Sequence, residues 1–262
     1  MVEAAIGREG PGDESGAAWT HRIPLSLMLL EQGGISKEQL REAGRQSAAG
    51  AAGEAIRLEE WLLNSGLLSE AALTRAISAQ WNCPVFSLPG GLSASMASAV
   101  PPFLSEALGA LPVGISGGKL LYLAFSERID RSLSYAVEHV TGLRVAAGIA
   151  RESEFRREQA RFLAGGAPAA RFLEAEDLHG LARGMAAWIE RERPIRARLA
   201  RVHELWWLRI WRTAQGGAAL PVPEAVEDLL ATVGQKREAG GLEESAVLPI
   251  REAEGSSASC RE

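Results

Sequence analysis

The sequence predicts an α+β fold: a pair of helical hairpins forming a four-helix unit, then a small mixed α/β layer, then a small helix plus β-hairpin domain. Three observations predict it. A helix–Gly–helix phrase occurs twice, as PLSLMLLEQGGISKEQLREAGRQS over 24–47 and RLEEWLLNSGLLSEAALTRAISAQ over 57–80. Two apolar runs, 111–115 and 119–125, flank Ser116-Gly117-Gly118, a hairpin signal. The run RARLARVHELWWLRIWR, 196–212, alternates with the period of two expected of paired strands.

The bulk numbers fit this class and narrow the functions. The 262 residues suffice for one large or two modest domains, each with a real core. Hydrophobic content of 47% and charged content of 23% are those of an ordinary soluble protein. A formal charge of −5 gives no global attraction to nucleic acid or anionic lipid. Cys83 and Cys260 stand far apart, and His21, His139, His179 and His203 are scattered, so neither a disulfide framework nor a structural zinc is expected. No apolar run approaches the roughly 18 residues of a membrane span. The acidic, Gly-rich start lacks the layout of a signal peptide. A cytoplasmic location without membrane insertion is expected.

Residues 1–21 are polar and Gly-rich and predict a flexible tail. The tandem hairpins occupy 22–81. In the second copy Leu58, Trp61, Leu62 and Leu63 form an apolar stripe, Gly66 ends the helix, and Ser69-Glu70 opens the next. Leu73, Ala76, Ile77 and Gln80 share one face of that next helix. The first copy repeats the scheme with Gly33 as breaker, Ser36 as N-cap, and Leu40 and Ala43 inside. A single hairpin cannot bury its apolar face, so the two must pack together.

The α/β subdomain, 82–163, reads as a strand at 85–88, a helix at 103–110 after Pro101-Pro102, and the hairpin 111–125. A helix over 130–141 ending at Gly142, a strand at 143–149 and a charged helix over 152–163 complete it. A Gly/Ala/Pro linker, 164–174, leads to a small domain over 175–231. There a helix over 175–192 stops before Pro194, and a hairpin turns at His203-Glu204. The alternation puts Ala200, Val202, Trp206, Leu208 and Ile210 on one face, and Arg201, Trp207, Arg209 and Trp211 on the other. A short helix is expected over 222–231 and a second flexible tail over 232–262.

The doubled phrase, followed by QWNCPVFSL (80–88), a Pro-started helix, the LPV…LLYLAF hairpin and TGLRV (141–145), resembles the N-terminal domain of type II secretion and type IV pilus assembly ATPases. This GspE/MshE-type likeness covers about 22–163. In that family each phrase begins Arg-Leu-Gly and ends in Gln, and the tandem pair can bind cyclic di-GMP. The resemblance assigns ligand contacts to Arg57, Leu58, Gly66 and Gln80, and to Leu25 and Gly33 of the first copy. An Arg plane stacks on guanine and donates to its acceptor edge; Leu walls the base; the Gln amide both donates and accepts.

The sequence departs from that pattern. Glu59 replaces the early Gly, adding bulk and negative charge where an anionic dinucleotide would lie. Pro24, Leu25 and Ser26 stand at the first Arg-Leu-Gly positions, and Ser47 replaces the first Gln. Arg22 and Gln46 lie near those positions but out of register, and the spacer 48–56 is longer than the usual one. Each lost charged partner costs about 1.5–3 kcal/mol, so two or three losses weaken a binder by orders of magnitude. The kept apolar and Gly positions are then explained by packing.

Catalytic signatures are lacking. No GxxxxGK[ST] occurs; GISGGKL (114–120) has the wrong spacing and puts Leu120 where a hydroxyl is needed. HExxH is also missing, and the one GxSxG match, GISGG (114–118), falls on the expected hairpin turn rather than on a strand-to-helix elbow. Glu174, Glu176 and Asp177 sit at a helix start, where carboxylates serve the dipole. The third block concentrates Trp188, Trp206, Trp207 and Trp211 among arginines. Those residues suit a core, or a partner surface through Arg201, Trp207, Arg209 and Trp211, or base stacking, in that order. The expectation is a non-enzymatic interaction or regulatory protein with no cofactor, binding a protein partner of the secretion or pilus machinery. The first alternative is a cyclic di-GMP sensor and the second a single-stranded nucleic-acid binder.

Overall fold

The structure, a computed structural model, describes residues 2–4, 23–49, 58–88, 90, 94–165, 169–214, 220–234 and 251–252. In chain order its elements are β1 (Val2–Ala4), α1 (Leu25–Glu31), α2 (Lys37–Ala49), α3 (Leu58–Asn64), α4 (Glu70–Trp81) and β2 (Val85–Phe86). Next come a 3-10 turn (Ala94–Ser98), α5 (Pro102–Leu108), β3 (Ala110–Ser116), β4 (Leu120–Phe125), α6 (Arg131–Thr141), β5 (Arg144–Ala150) and α7 (Glu152–Ala164). The C-terminal part holds β6 (Ala169–Ala175), α8 (Leu178–Glu192), β7 (Arg196–Val202), β8 (Leu205–Trp211), β9 (Val226–Val233) and β10 (Arg251–Glu252). The class is α+β, with two small mixed sheets.

The two hairpins repeat residue for residue. Leu29 O accepts from the N–H groups of Gly34 and Ile35, and Leu62 O accepts from those of Leu67 and Leu68. Both turns require a left-handed residue, and Gly33 and Gly66 supply it, each at φ +70°. Ser36 and Ser69 then cap the following helices, accepting from Gln39 N and Ala72 N at 3.2 Å each. Gln39 reaches back to Ser36 N, completing a capping box in the first copy. Leu29, Ile35 and Ala43 are buried, and so are their counterparts Leu62, Leu68 and Ala76. With α1 against α4 and α2 against α3, the apolar stripes fill one another.

In the first sheet the order is β2-β5-β4-β3, with β3–β4 antiparallel and β4–β5 parallel. Asp130 accepts from Leu133 N to start α6, which crosses over between β4 and β5. The second sheet runs β1-β7-β8-β9-β6-β10. Its central part places first strand beside last, then third, then second, the same order as the first sheet.

Several expectations about this second sheet are corrected. The supposed linker 164–174 holds all but the last residue of β6, which pairs in parallel with β9. The supposed helix at 222–231 is a 3-10 turn (Pro223–Ala225) followed by β9. Its residues 226–231 are buried on both faces, and a continuous buried run carries no helix-versus-strand period. Helix α8 starts at Leu178, three residues late, because Asp177 caps Gly180 N at 2.6 Å. Within the expected tails, Val2–Ala4 and Arg251–Glu252 add strands to the sheet edges, and β9 extends to Val233.

The face assignment of the hairpin is corrected too. Directly opposed residues of an antiparallel pair share a face, and the register pairs Ala200 with Trp207 and Val202 with Leu205. Ala200 and Val202 therefore lie with Trp207 and Trp211 and join the core that continues into the N-terminal part. Leu208, Ile210 and Ala197 face the opposite way, against Met185 and Trp188 of α8. Both faces of β8 are covered, so neither is a free surface.

The second sheet and the N-terminal part thus share one core. Arg198 Nη1 donates to His139 O at 2.6 Å and Val140 O at 3.1 Å, where a cation suits the end of α6. Ser98 Oγ donates to Pro221 O at 2.6 Å.

Candidate functional site

A groove of about 910 Å³ opens where α1, α3 and α4 meet the segment after β4 and the start of α7. Leu25, Leu63, Leu73, Ile77 and Trp81 give it an apolar floor. Among the described residues its charged lining is Glu59, Glu60, Glu70, Glu127 and Glu152 against Arg128 and Arg156, an excess of carboxylates. Two of these carboxylates have structural work. Glu70 of α4 accepts from Ser153 N at 2.6 Å and Ser153 Oγ at 2.8 Å, tying the helical pair to α7. Glu152 pairs with Arg156 one turn along α7.

A second pocket of about 530 Å³ adjoins the groove, sharing Trp81 and Arg128. Ile129, Asp130, Arg131, Ser132 and His203 complete its wall. His203, in the β7–β8 turn at φ +53°, places Nε2 2.6 Å from Asp130 Oδ2. The other carboxylate oxygen of Asp130 caps α6, so this acid is committed on both sides.

The residues assigned by resemblance divide. Leu25 and Gln80 line the groove. Gln80 Nε2 also donates to Ile23 O at 2.8 Å, fastening the end of α4 to the chain entering α1. Gly33 and Gly66 sit in the helix-ending turns and do not line the groove. Leu58 is the first residue of α3, and Arg57 lies outside the described residues, as does Arg22. Gln46 falls within α2.

The partner surface expected from Arg201, Trp207, Arg209 and Trp211 is not formed. Trp207, Arg209 and Trp211 are buried, and Arg201 alone is exposed. Arg209 Nε and Nη2 each donate to Asp228 at 2.7 Å, Nη1 donates to Ser98 O, and Trp207 Nε1 donates to Asp228 Oδ1 at 2.7 Å. The Arg209 guanidinium also lies over the Trp207 ring, 5.0 Å from its centroid. These groups close the junction between the second sheet and the N-terminal part, which takes them from any base-stacking role.

Sequence reasoning identified Glu59 as an intrusive charge but missed the rest of the acidic rim. Glu60, Glu70, Glu127 and Glu152 come from three separate stretches, and no local spacing announces that they converge. Among the described residues no group of three or more His, Cys, Asp and Glu side chains could hold a metal, and no helix is long and apolar enough to cross a membrane.

No protein-family model and no curated protein matches the chain. Among solved structures, the chain is similar to MshE solved with cyclic di-GMP, at 27% identity over 54% of this chain and 99% of that one, with a TM-score of 0.44. It is also similar to the N-terminal domain of XpsE, at 19% identity over 52% of this chain and 92% of that one, TM-score 0.37. A second crystal form of that domain gives 20% identity over 58% and 98%, TM-score 0.31. These alignments span about half of this chain.

Proposed function

We propose that the chain is a non-catalytic interaction module that binds a protein partner of a secretion or pilus assembly machine. The observation that carries this reading is the chemistry of the groove. Its floor is apolar and, among the described residues, its rim carries five carboxylates against two guanidinium groups. Such a rim repels a doubly anionic dinucleotide. Of the two polar residues that the resemblance gives to a nucleotide, Gln80 fastens α4 to the chain before α1, and Arg57 lies outside the described residues. Glycines kept at both breaker positions are accounted for by the turn they make.

The test measures binding of the purified chain to the assembly ATPase and the membrane-anchored components of such a machine, by interferometry. Specific binding to one of them is expected; no binding to any overturns the proposal.

The alternative reading, a cyclic di-GMP sensor, is favoured by one observation: Leu25 and Gln80 line the same groove, whose volume suits a small ligand. Calorimetry separates the two. Micromolar cyclic di-GMP binding that disappears in Arg57→Ala would replace the interaction reading by the sensor.

A further inference from the structure

We infer that the groove receives a basic, amphipathic segment of the partner, its apolar side chains on Leu25, Leu63 and Trp81 and its Lys or Arg side chains against Glu59 and Glu60. This rests on the interaction reading and specifies its surface and chemistry.

Charge complementarity selects the occupant. Glu70 and Glu152 are held by Ser153 and Arg156, whereas Glu59 and Glu60 have no ion-pair partner among the described residues. They are consecutive residues in the first turn of α3, and both line the groove. An apolar ligand alone would leave two carboxylates desolvated without compensation. An acidic ligand would add like-charge repulsion. A Lys or Arg side chain meets both demands, because its methylene stem covers Leu63 or Trp81 while its head reaches a carboxylate. Helix-in-groove recognition uses this division between apolar anchors and charged flanks.

The test uses the full chain and two labelled synthetic peptides of equal length, one with alternating Leu and Lys faces, the other with Glu in place of Lys. Fluorescence anisotropy should show the Leu/Lys peptide binding and the Leu/Glu peptide not. Glu59→Lys with Glu60→Lys should weaken binding by at least about tenfold. The milder pair Glu59→Gln with Glu60→Gln should give a smaller loss in the same direction, with circular dichroism confirming the fold of both. Reversal of an exposed acidic pair elsewhere, Glu174→Lys with Glu176→Lys, should leave the affinity unchanged.

Equal binding of the two peptides, equal loss in the distant control, or no Leu/Lys binding would overturn the inference. Self-association that Glu59→Lys and Glu60→Lys abolish would overturn it as well, by giving the groove to a second copy. A machinery component that binds wild type and the reversed pair equally would sink the groove assignment and leave the interaction reading standing. No component binding at all would remove both.

Discussion

Arg209 and Asp228 face each other across β8 and β9, wholly buried and joined by two hydrogen bonds of 2.7 Å. The third guanidinium nitrogen of Arg209, Nη1, donates to Ser98 O, and Trp207 adds a second bond to Asp228 Oδ1. The charge pair is thereby satisfied by the two parts of the molecule that meet there. Removing one partner leaves an uncompensated buried charge, so Arg209→Ala or Asp228→Ala should each destabilise by about 3–5 kcal/mol. Replacing both with apolar residues of similar volume, Arg209→Met with Asp228→Leu, should cost less than the two single changes together. Urea unfolding of the four proteins measures this, and additive losses would show that the pair does not act as a unit.

The shared core predicts a single unfolding event. Leu133 and Val140 of α6 belong to the same buried cluster as Val202, Trp207 and Trp211 of the second sheet. Trp188, Trp207 and Trp211 are buried in the C-terminal part, whereas the described N-terminal part is largely helical, so in a variant carrying Trp19→Phe, Trp61→Phe and Trp81→Phe the two probes report different regions. Tryptophan fluorescence and far-ultraviolet dichroism should therefore give coincident thermal transitions. Two separated midpoints would show that the second sheet is an independent domain.

The helical repeat was legible because its signals are local: Gly33 and Gly66 after a stripe of leucines, then Ser36 and Ser69 as caps. The β3–β4 hairpin and the α6 boundaries were legible for the same reason. What failed depends on distant partners. Val226 to Ala231 gave no period because α8 covers one face and the N-terminal part the other. For Trp207 and Arg209 the sequence left a partner surface open behind a core role, because alternation shows that two faces differ without showing what covers each; both are core. The groove's acidic rim was hidden likewise: Glu59 was noticed only where a family pattern expected Gly, while Glu127 and Glu152 join it through tertiary packing.

Two glycine substitutions separate backbone need from empty space. A Cβ at Gly66 meets nothing within 4 Å, yet φ is +70°, so Gly66→Ala should destabilise by about 1–2 kcal/mol through the left-handed backbone alone. Gly44 lies inside α2 with nothing within 4 Å of a Cβ, and Gly44→Ala should stabilise by about 0.5–1 kcal/mol. Gly66→Asn should recover part of the loss, since Asn tolerates this turn. Thermal melts of the three variants check the ordering. An unchanged Tm in Gly66→Ala would leave that glycine without a structural reason and return it to the ligand reading.

Gly148 carries a different constraint, one of contact. It lies in β5, and a Cβ there would come 2.5 Å from Phe86 Cε2 and 2.7 Å from Cζ. The Phe86 ring rests over this glycine from β2 and meets Tyr122 edge-on at 5.7 Å. Gly148→Ala must displace the ring and disturb that pair, a loss of about 1–3 kcal/mol by the cost of overfilling a packed site. Phe86→Leu shortens the blocking side chain at its own cost in packing. If the clash is the cause, Gly148→Ala in the Phe86→Leu background should cost at least about 1 kcal/mol less than in the wild type, within the range of coupling between residues in contact. Strict additivity in denaturant titrations would show that the strand needs glycine for its backbone and that Phe86 is a bystander.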